Sequence, residues 1–235
     1  MPLILIPLAG PDFYTKNFGI RPLYPIGNST LIEHVLASRP WMSNESQTEN
    51  QIVFILREEG SHSDEMVSFI KKKFPTANTV IISSLSVGAP LSALAGISLS
   101  KYHDQPVIVD LADIAFDMQW DPNSYFCENQ KVDAVLPYFS SIDPKFSYLK
   151  LGIRGVTEAR EKQVISSNAS AGVYIFRDAS VYLRAVIYCL QHPDVCKVGP
   201  AFFVCPSVNG LITNERQVHA IKVHNVEAIS NLFHE

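Results

Sequence analysis

Two stretches of this chain place groups able to do chemistry directly after an apolar run. Val107-Ile108-Val109 leads into Asp110-Leu111-Ala112-Asp113. Carboxylates just beyond a strand can hold Mg²⁺, which takes hard oxygen ligands and usually keeps several waters. The plain structural alternative for Asp113 is a turn acid or a helix N-cap. At the N-terminus, Leu3-Ile4-Leu5-Ile6-Pro7-Leu8 leads into Ala9-Gly10, a polar loop, and then Arg21-Pro22-Leu23. Small residues let backbone N–H groups approach phosphates, and a nearby cation neutralises them. The arrangement suits a nucleoside triphosphate. Arg21 would bind phosphate through its planar fork, and a residue before proline is held extended; as an alternative it is a surface arginine. Lys16 is a second cation in the same loop.

The elements that must position these groups alternate along the first half. Apolar runs predict strands over Leu3–Pro7, Gln51–Leu56, Asn78–Ile82 and Pro106–Val109. Helical spacing predicts helices over Thr30–Ser38, Asp64–Phe74 and Ala89–Lys101. This alternation predicts βαβ units and a mostly parallel sheet. Their right-handed crossovers bring the strand C-termini to one edge, where open α/β sheets bind ligands. Gly10, Arg21, residues 84–88 and 110–113 should therefore meet in one cleft. In the second half, strands are expected over Val132–Tyr138, Tyr148–Leu151, Ala171–Phe176 and Gln217–Val223, and a helix over Asp178–Leu190. Met42–Asn50 and Phe139–Pro144 read as loops. The fold class expected is α/β, with residues 1–235 forming a single domain whose mixed, mostly parallel sheet is flanked by helices.

Composition narrows the function classes. The 235 residues are 47% hydrophobic, enough for a substantial core. A formal net charge of −4 gives no global basic field for nucleic acid or a membrane surface. The one basic run, Lys71-Lys72-Lys73, closes a predicted helix, where cations favour the C-terminus. The four cysteines form no CxxC pair and no metal-type spacing, consistent with reduced thiols and a cytoplasmic location. The short apolar N-terminus lacks a basic leader and is read as a first strand. No stretch approaches the roughly 18 apolar residues of a membrane helix.

The N-terminal segment resembles the opening motif of the sugar-phosphate nucleotidyltransferases: apolar strand, Ala-Gly-x-Gly-x-Arg, Pro-Lys-Pro-Leu, then a helix. Here the glycine-rich part reads Ala9-Gly10-Pro11-Asp12, and Arg21-Pro22 stands for Lys-Pro. Two further segments are similar. Ala112-Asp113 matches the pair whose aspartate binds the metal, and Phe116 and Trp120-Asp121 follow it as the family's aromatic and Trp-Asp do. Glu161-Lys162, followed by Ala171-Gly172-Val173-Tyr174-Ile175-Phe176, resembles Glu-Lys-Pro and Asn-Ala-Gly-Ile-Tyr-x-Phe. The resemblance implies nucleotide contacts from Leu8, Ala9, Gly10, Arg21, Gly88 and Ala112. It implies Mg²⁺ on Asp113 and catalytic roles for Arg21, Asp113 and Lys162. It implies sugar-phosphate contacts from Glu161, Lys162, Ala171 and Gly172. The family's second metal aspartate, in Trp-x-Asp-x-Gly-Thr, has no counterpart in Ala220–Glu227, where His224 and Glu227 are the possible substitutes.

The function this implies is transfer of a nucleotidyl group from a nucleoside triphosphate to a sugar phosphate or similar metabolite. Pyrophosphate is released, and surface-polysaccharide (capsule) synthesis is the implied setting. The partners expected are those two small molecules, with no nucleic acid and no membrane insertion. Two rivals use the same fold. One is a catalytically silent nucleotide or nucleotide-sugar binder. The other is a glycosyltransferase, which would want Asp-x-Asp where this chain has Asp110-Leu111-Ala112-Asp113.

Overall fold

Leu3 and Leu5 point to one side of the first strand and Ile4 and Ile6 to the other, and all four are fully buried. A strand apolar on both faces must be central and covered by helices on each side. The computed structural model, which describes residues 2–42, 51–83, 87–99, 103–119 and 121–229, has this architecture. Among the described residues ten strands form one sheet. Its parallel part is β1 (Leu3–Leu8), β2 (Gln51–Arg57), β3 (Asn78–Ile82) and β4 (Val107–Asp110), in the spatial order β4-β1-β2-β3. β1 and β4 are parallel neighbours, with Leu3 opposite Val107 and Leu5 opposite Val109.

Helix α1 (Leu31–Ala37) and helix α2 (Ser61–Lys73) cover one face. Their Ile32, Val35, Leu36, Met66 and Ile70 join Ile4 and Ile6 in one apolar layer. Helix α3 (Ala89–Ser98) covers the other, where Ala93 and Ile97 join Leu3 and Leu5. α1 starts at a full capping box. The Thr30 hydroxyl accepts from the Glu33 N–H, and the Glu33 carboxylate accepts from the Thr30 N–H.

The second half extends the same sheet in antiparallel fashion. The short β5 (Ile114–Asp117) leaves the sheet after Asp113. β6 (Val132–Ser140) is followed by the hairpin β7 (Ser147–Gly152) and β8 (Gly155–Glu161), then β9 (Asn168–Ser170) and β10 (Val173–Phe176). β10 runs antiparallel to β4 and joins the two halves. Helix α4 (Ala179–Gln191) packs Val181, Tyr182, Ala185 and Val186 onto the α3 face. β11 (Gln217–Lys222) lies parallel to β6, and β12 (His224–Ala228) pairs with β5.

Several expectations are corrected in detail. The strand expected over Ala171–Phe176 starts at Val173, because Gly172, at φ +73°, breaks the chain between β9, which was not expected, and β10. Phe139 and Ser140, read as loop, close β6. Arg21 opens a short 3₁₀ turn, Arg21–Leu23, so the extended conformation expected before Pro22 ends at Ile20. No strand was expected over Gly155–Glu161, which forms β8 and buries Glu161 at its end. Residues 43–50, 84–86, 100–101 and Trp120 lie outside the described residues.

Candidate functional site

The C-terminal ends of β1 and β4 open onto a cavity of about 680 Å³. Leu8, Ala9, Gly10, Arg21, Gly88, Ala112, Asp113, Glu161, Lys162 and Gly172 all line it. Ala171 does not. It is fully buried in the apolar layer, its N–H donating to the Pro137 carbonyl at 2.9 Å, and Ser170 lines the cavity beside it. Lys16 is exposed and lies outside the lining.

After β1 the chain makes a tight turn in which the Phe13 N–H donates to the Gly10 carbonyl at 3.1 Å. The Arg21 N–H donates to the Phe13 carbonyl at 2.9 Å, which fixes the cation beside the loop. Asp12 forms an ion pair with the Arg21 guanidinium. Burial lowers the Arg21 pKa, and the negative charge of Asp113 opposes that shift.

The two acids after β4 have separate fates. Asp110 is fully buried and held by Arg39, which is itself 2% exposed. Arg39 Nε donates to Asp110 Oδ2 at 2.7 Å and Nη2 to Oδ1 at 3.1 Å. Nη2 also donates to the Ile114 carbonyl at 2.8 Å, and the guanidinium lies 4.0 Å from the centre of the Phe116 ring. Asp110 Oδ1 in turn accepts from the Ala112 N–H at 2.9 Å, holding Ala112 at φ 53°. This turn carries Asp113 into the cavity. The residue is partly accessible, yet its Oδ1 is buried and has no hydrogen-bond partner among the described residues. Burial raises the Asp113 pKa, Arg21 and Arg39 pull it down, and Asp110 adds to the rise. A Cβ at Gly172 would stand 3.0 Å from that Oδ1. A positive φ and this close approach together account for glycine at 172.

Glu161 ends β8 with 7% of its surface exposed. Ser147, opposite it in register, donates a hydrogen bond to its carboxylate. Burial raises the Glu161 pKa to about 7, against the Ser147 bond and the Lys162 charge. Lys162 turns at φ 52° and ties its N–H to the Phe146 carbonyl at 3.1 Å. Its Nζ stands 5.7 Å from the centre of the Phe203 ring. Gly88 at φ +123° packs against the Phe202 backbone, whose N–H donates to the Val87 carbonyl at 2.8 Å. Close packing against the 200–204 segment accounts for that glycine.

Among the described residues, the C-terminal segment reaches the site without supplying a second acid. β12 sets Ala228 opposite Ile114, the residue after Asp113. Glu227 instead meets His34 Nε2 at 2.9 Å. Neither His224 nor Glu227 lines the cavity. Among the described residues no three His, Cys, Asp or Glu side chains form a metal cluster. Arg39 and Ser147 were not legible as site residues. Arg39 pairs across 71 positions in sequence, and Ser147 is marked only by its register opposite Glu161.

No protein-family model and no curated protein matches the chain. Solved structures do. A nucleoside-diphosphate-sugar pyrophosphorylase from Vibrio cholerae RC9 superposes with a TM-score of 0.73 at 20% identity, covering 96% of this chain and 94% of that one. An inositol-1-phosphate CTP transferase from T. maritima gives 0.71 at 12% identity, covering 97% and 87%. A UDP-glucose pyrophosphorylase complexed with UDP-glucose gives 0.67 at 13% identity, covering 95% and 91%. The fold is that of the sugar-phosphate nucleotidyltransferases, as the sequence motifs implied.

Proposed function

We propose that this chain, built on the nucleotidyltransferase fold, transfers a nucleotidyl group from a nucleoside triphosphate to a phosphorylated acceptor and releases pyrophosphate. One observation carries the reading. Gly10, Arg21, Asp113 and Lys162 come from four separate parts of the sequence and line one cavity at the strand C-termini. In this reading the residues act together as one domain, and Arg21 binds and orients the triphosphate. Lys162 holds the acceptor phosphate, and Glu161 lies beside it as a group that can donate or accept a hydrogen bond near neutral pH. In-line phosphoryl chemistry depends mostly on positioning and charge neutralisation, so these roles suffice without a covalent protein intermediate.

The unpartnered, buried Asp113 Oδ1 fits a metal ligand. Asp113 would hold Mg²⁺, an ion usually bound by one or two carboxylates together with substrate phosphates and water. When bound, the ion would neutralise charge on the triphosphate. Surface-polysaccharide synthesis is the setting proposed for the product. No helix among the described residues is long and apolar enough to cross a membrane.

The Asp12–Arg21 ion pair favours a second reading, a nucleotide binder with little turnover, because the cation is engaged by an internal carboxylate. Pyrophosphate release separates the two. The test incubates the protein with each nucleoside triphosphate, Mg²⁺ and a panel of phosphate monoesters. Turnover with at least one pair is expected, and Asp113→Asn should abolish that Mg²⁺-dependent turnover while leaving the melting curve in place. Nucleotide binding without pyrophosphate release from any pair would favour the silent binder.

A further inference from the structure

Among the described residues, the cations that line the cavity are Arg21, Lys145 and Lys162. Arg21 is paired with Asp12. Lys162 follows Glu161, and its charge favours the ionised form of that carboxyl. Lys145 has no acid in an ion pair with it among the described residues. It stands beside Lys162. The Lys162 N–H donates to the Phe146 carbonyl at 3.1 Å, and Ser147 lies opposite Glu161 in register. The backbones at 146 and 162 are therefore about one strand spacing apart, roughly 5 Å. A four-carbon stem spans that distance, so both ammonium groups can meet one anion.

The loop that carries Lys145 is held by its own hydrogen bonds. Asp143 Oδ1 accepts from the Lys145 N–H at 3.0 Å, closing an Asx turn. The Asp143 N–H donates to Ser141 Oγ at 3.1 Å. The Asp143 carbonyl accepts from the Tyr148 hydroxyl at 2.6 Å and from the Phe146 N–H at 3.2 Å. The Asp143 carboxylate is thus spent on the backbone of Lys145 and leaves its ammonium available to a ligand. A phosphate monoester carries about −1.5 to −2 charge near neutral pH, more than one lysine can neutralise.

We propose that Lys145 is a second ligand for the acceptor's phosphate, which sits between the Lys145 and Lys162 ammonium groups. Calling it an acceptor rests on the nucleotidyl-transfer reading. The family resemblance that marks Lys162 assigns no role to position 145.

Inorganic phosphate presents the group shared by every such acceptor and leaves the organic part out of the question. It is titrated by calorimetry into the full chain at low ionic strength, without nucleotide. Lys145→Gln should weaken binding at least about fivefold, the loss of one charge-assisted hydrogen bond discounted for screening. Lys145→Arg keeps a phosphate-binding cation and should stay within about threefold of the wild type. Lys150→Gln removes the same charge from β7 outside the lining and should leave binding unchanged. Lys145 and Lys150 are both exposed, so each variant should melt as the wild type does. Wild-type affinity in Lys145→Gln overturns the proposal. So does an equal loss in Lys150→Gln, the mark of a general charge effect, or no binding by the wild type at millimolar phosphate. In the pyrophosphate assay, Lys145→Gln should raise the acceptor KM and leave the nucleoside triphosphate KM in place, a split that a merely structural role would not give. Pyrophosphate release with an acceptor KM indifferent to Lys145→Gln sinks this proposal and leaves nucleotidyl transfer standing. Phosphate binding that depends on Lys145, with no turnover on any acceptor, does the reverse.

Discussion

Glu161→Gln offers a quantitative test of how the site is built. The carboxyl is 7% exposed and accepts a hydrogen bond from Ser147. Burial raises its pKa from 4.5 to about 7, although Ser147 and Lys162 both favour the charged form. Between those values the folded protein keeps a proton that the unfolded chain has released. Ionisation therefore opposes folding across this window, and stability falls as pH rises from 4.5 through about 7. At about 1.4 kcal/mol per pH unit of displacement, the loss approaches about 3 kcal/mol on the alkaline side. Glutamine keeps an acceptor oxygen for Ser147 and carries no titrating proton. The variant should track the wild type near pH 4.5 and exceed it by about 3 kcal/mol at pH 8, a difference that other titrating groups cancel out of. Urea unfolding of both forms across that range measures it. A wild-type-to-variant difference that stays flat with pH would mean that Glu161 ionises at its ordinary value and that water reaches it.

Two further substitutions address charges around the same cavity. Asp12→Gly should tighten nucleoside triphosphate binding, because Asp12 competes with the ligand for Arg21. Asp12 is 58% exposed, so screening holds the gain to about tenfold or less at low salt. Calorimetry at one salt concentration decides, and an unchanged or weaker affinity would show that Arg21 does not hold phosphate. Arg39→Met should cost about 3–5 kcal/mol of stability by leaving Asp110 buried without its counter-charge. Adding Asp110→Asn should recover much of that loss, and a double mutant no more stable than the single one would contradict the pairing.

The first half of the fold was legible because β1, β2 and β4 are largely buried apolar runs, β3 is a short run rich in β-branched residues, and its helices carry one apolar stripe. Asn78–Ile82 agrees with expectation at both ends, and α1 is bounded by the capping residue that its Thr30-x-x-Glu33 spacing announces. The second half was harder for a physical reason. β7 and β8 form a hairpin with a bulge between Lys150 and Leu151, which shifts the register. In β8 the buried positions are Val156, Ala159 and Glu161, so the alternation is broken and one inward position is a carboxylate. Glu158–Lys162 therefore looks like a solvated charge cluster in sequence. The β9–β10 break was marked by Gly172, but the close approach that favours glycine there, Asp113 Oδ1 at 3.0 Å from the position of a Cβ, comes from the turn after β4 some sixty residues earlier.

The site shows the same boundary between local and distant information. Asp110 and Asp113 stand in one short motif, and nothing local separates a structural acid from a chemical one. Arg39 makes the separation. It neutralises Asp110 inside the core and adds a bond to Ile114 on the far side of the turn. Asp110 then fixes Ala112 at positive φ, which directs Asp113 to the cavity. A carboxylate left with a buried, unpaired oxygen is costly to keep unless something binds it. The charges of Arg21 and Arg39 lower that cost in part, and a cation carried in with a polyphosphate would lower it further. The position opposite Ile114 that could have supplied a second acid holds Ala228. Any divalent ion here would thus depend on ligand oxygens for most of its coordination, so ion and nucleotide should bind together. Mg²⁺ alone should give no measurable heat in calorimetry, and nucleotide affinity should rise with Mg²⁺ concentration. Saturable Mg²⁺ binding to the nucleotide-free protein would show that ligands beyond Asp113 complete the ion's coordination.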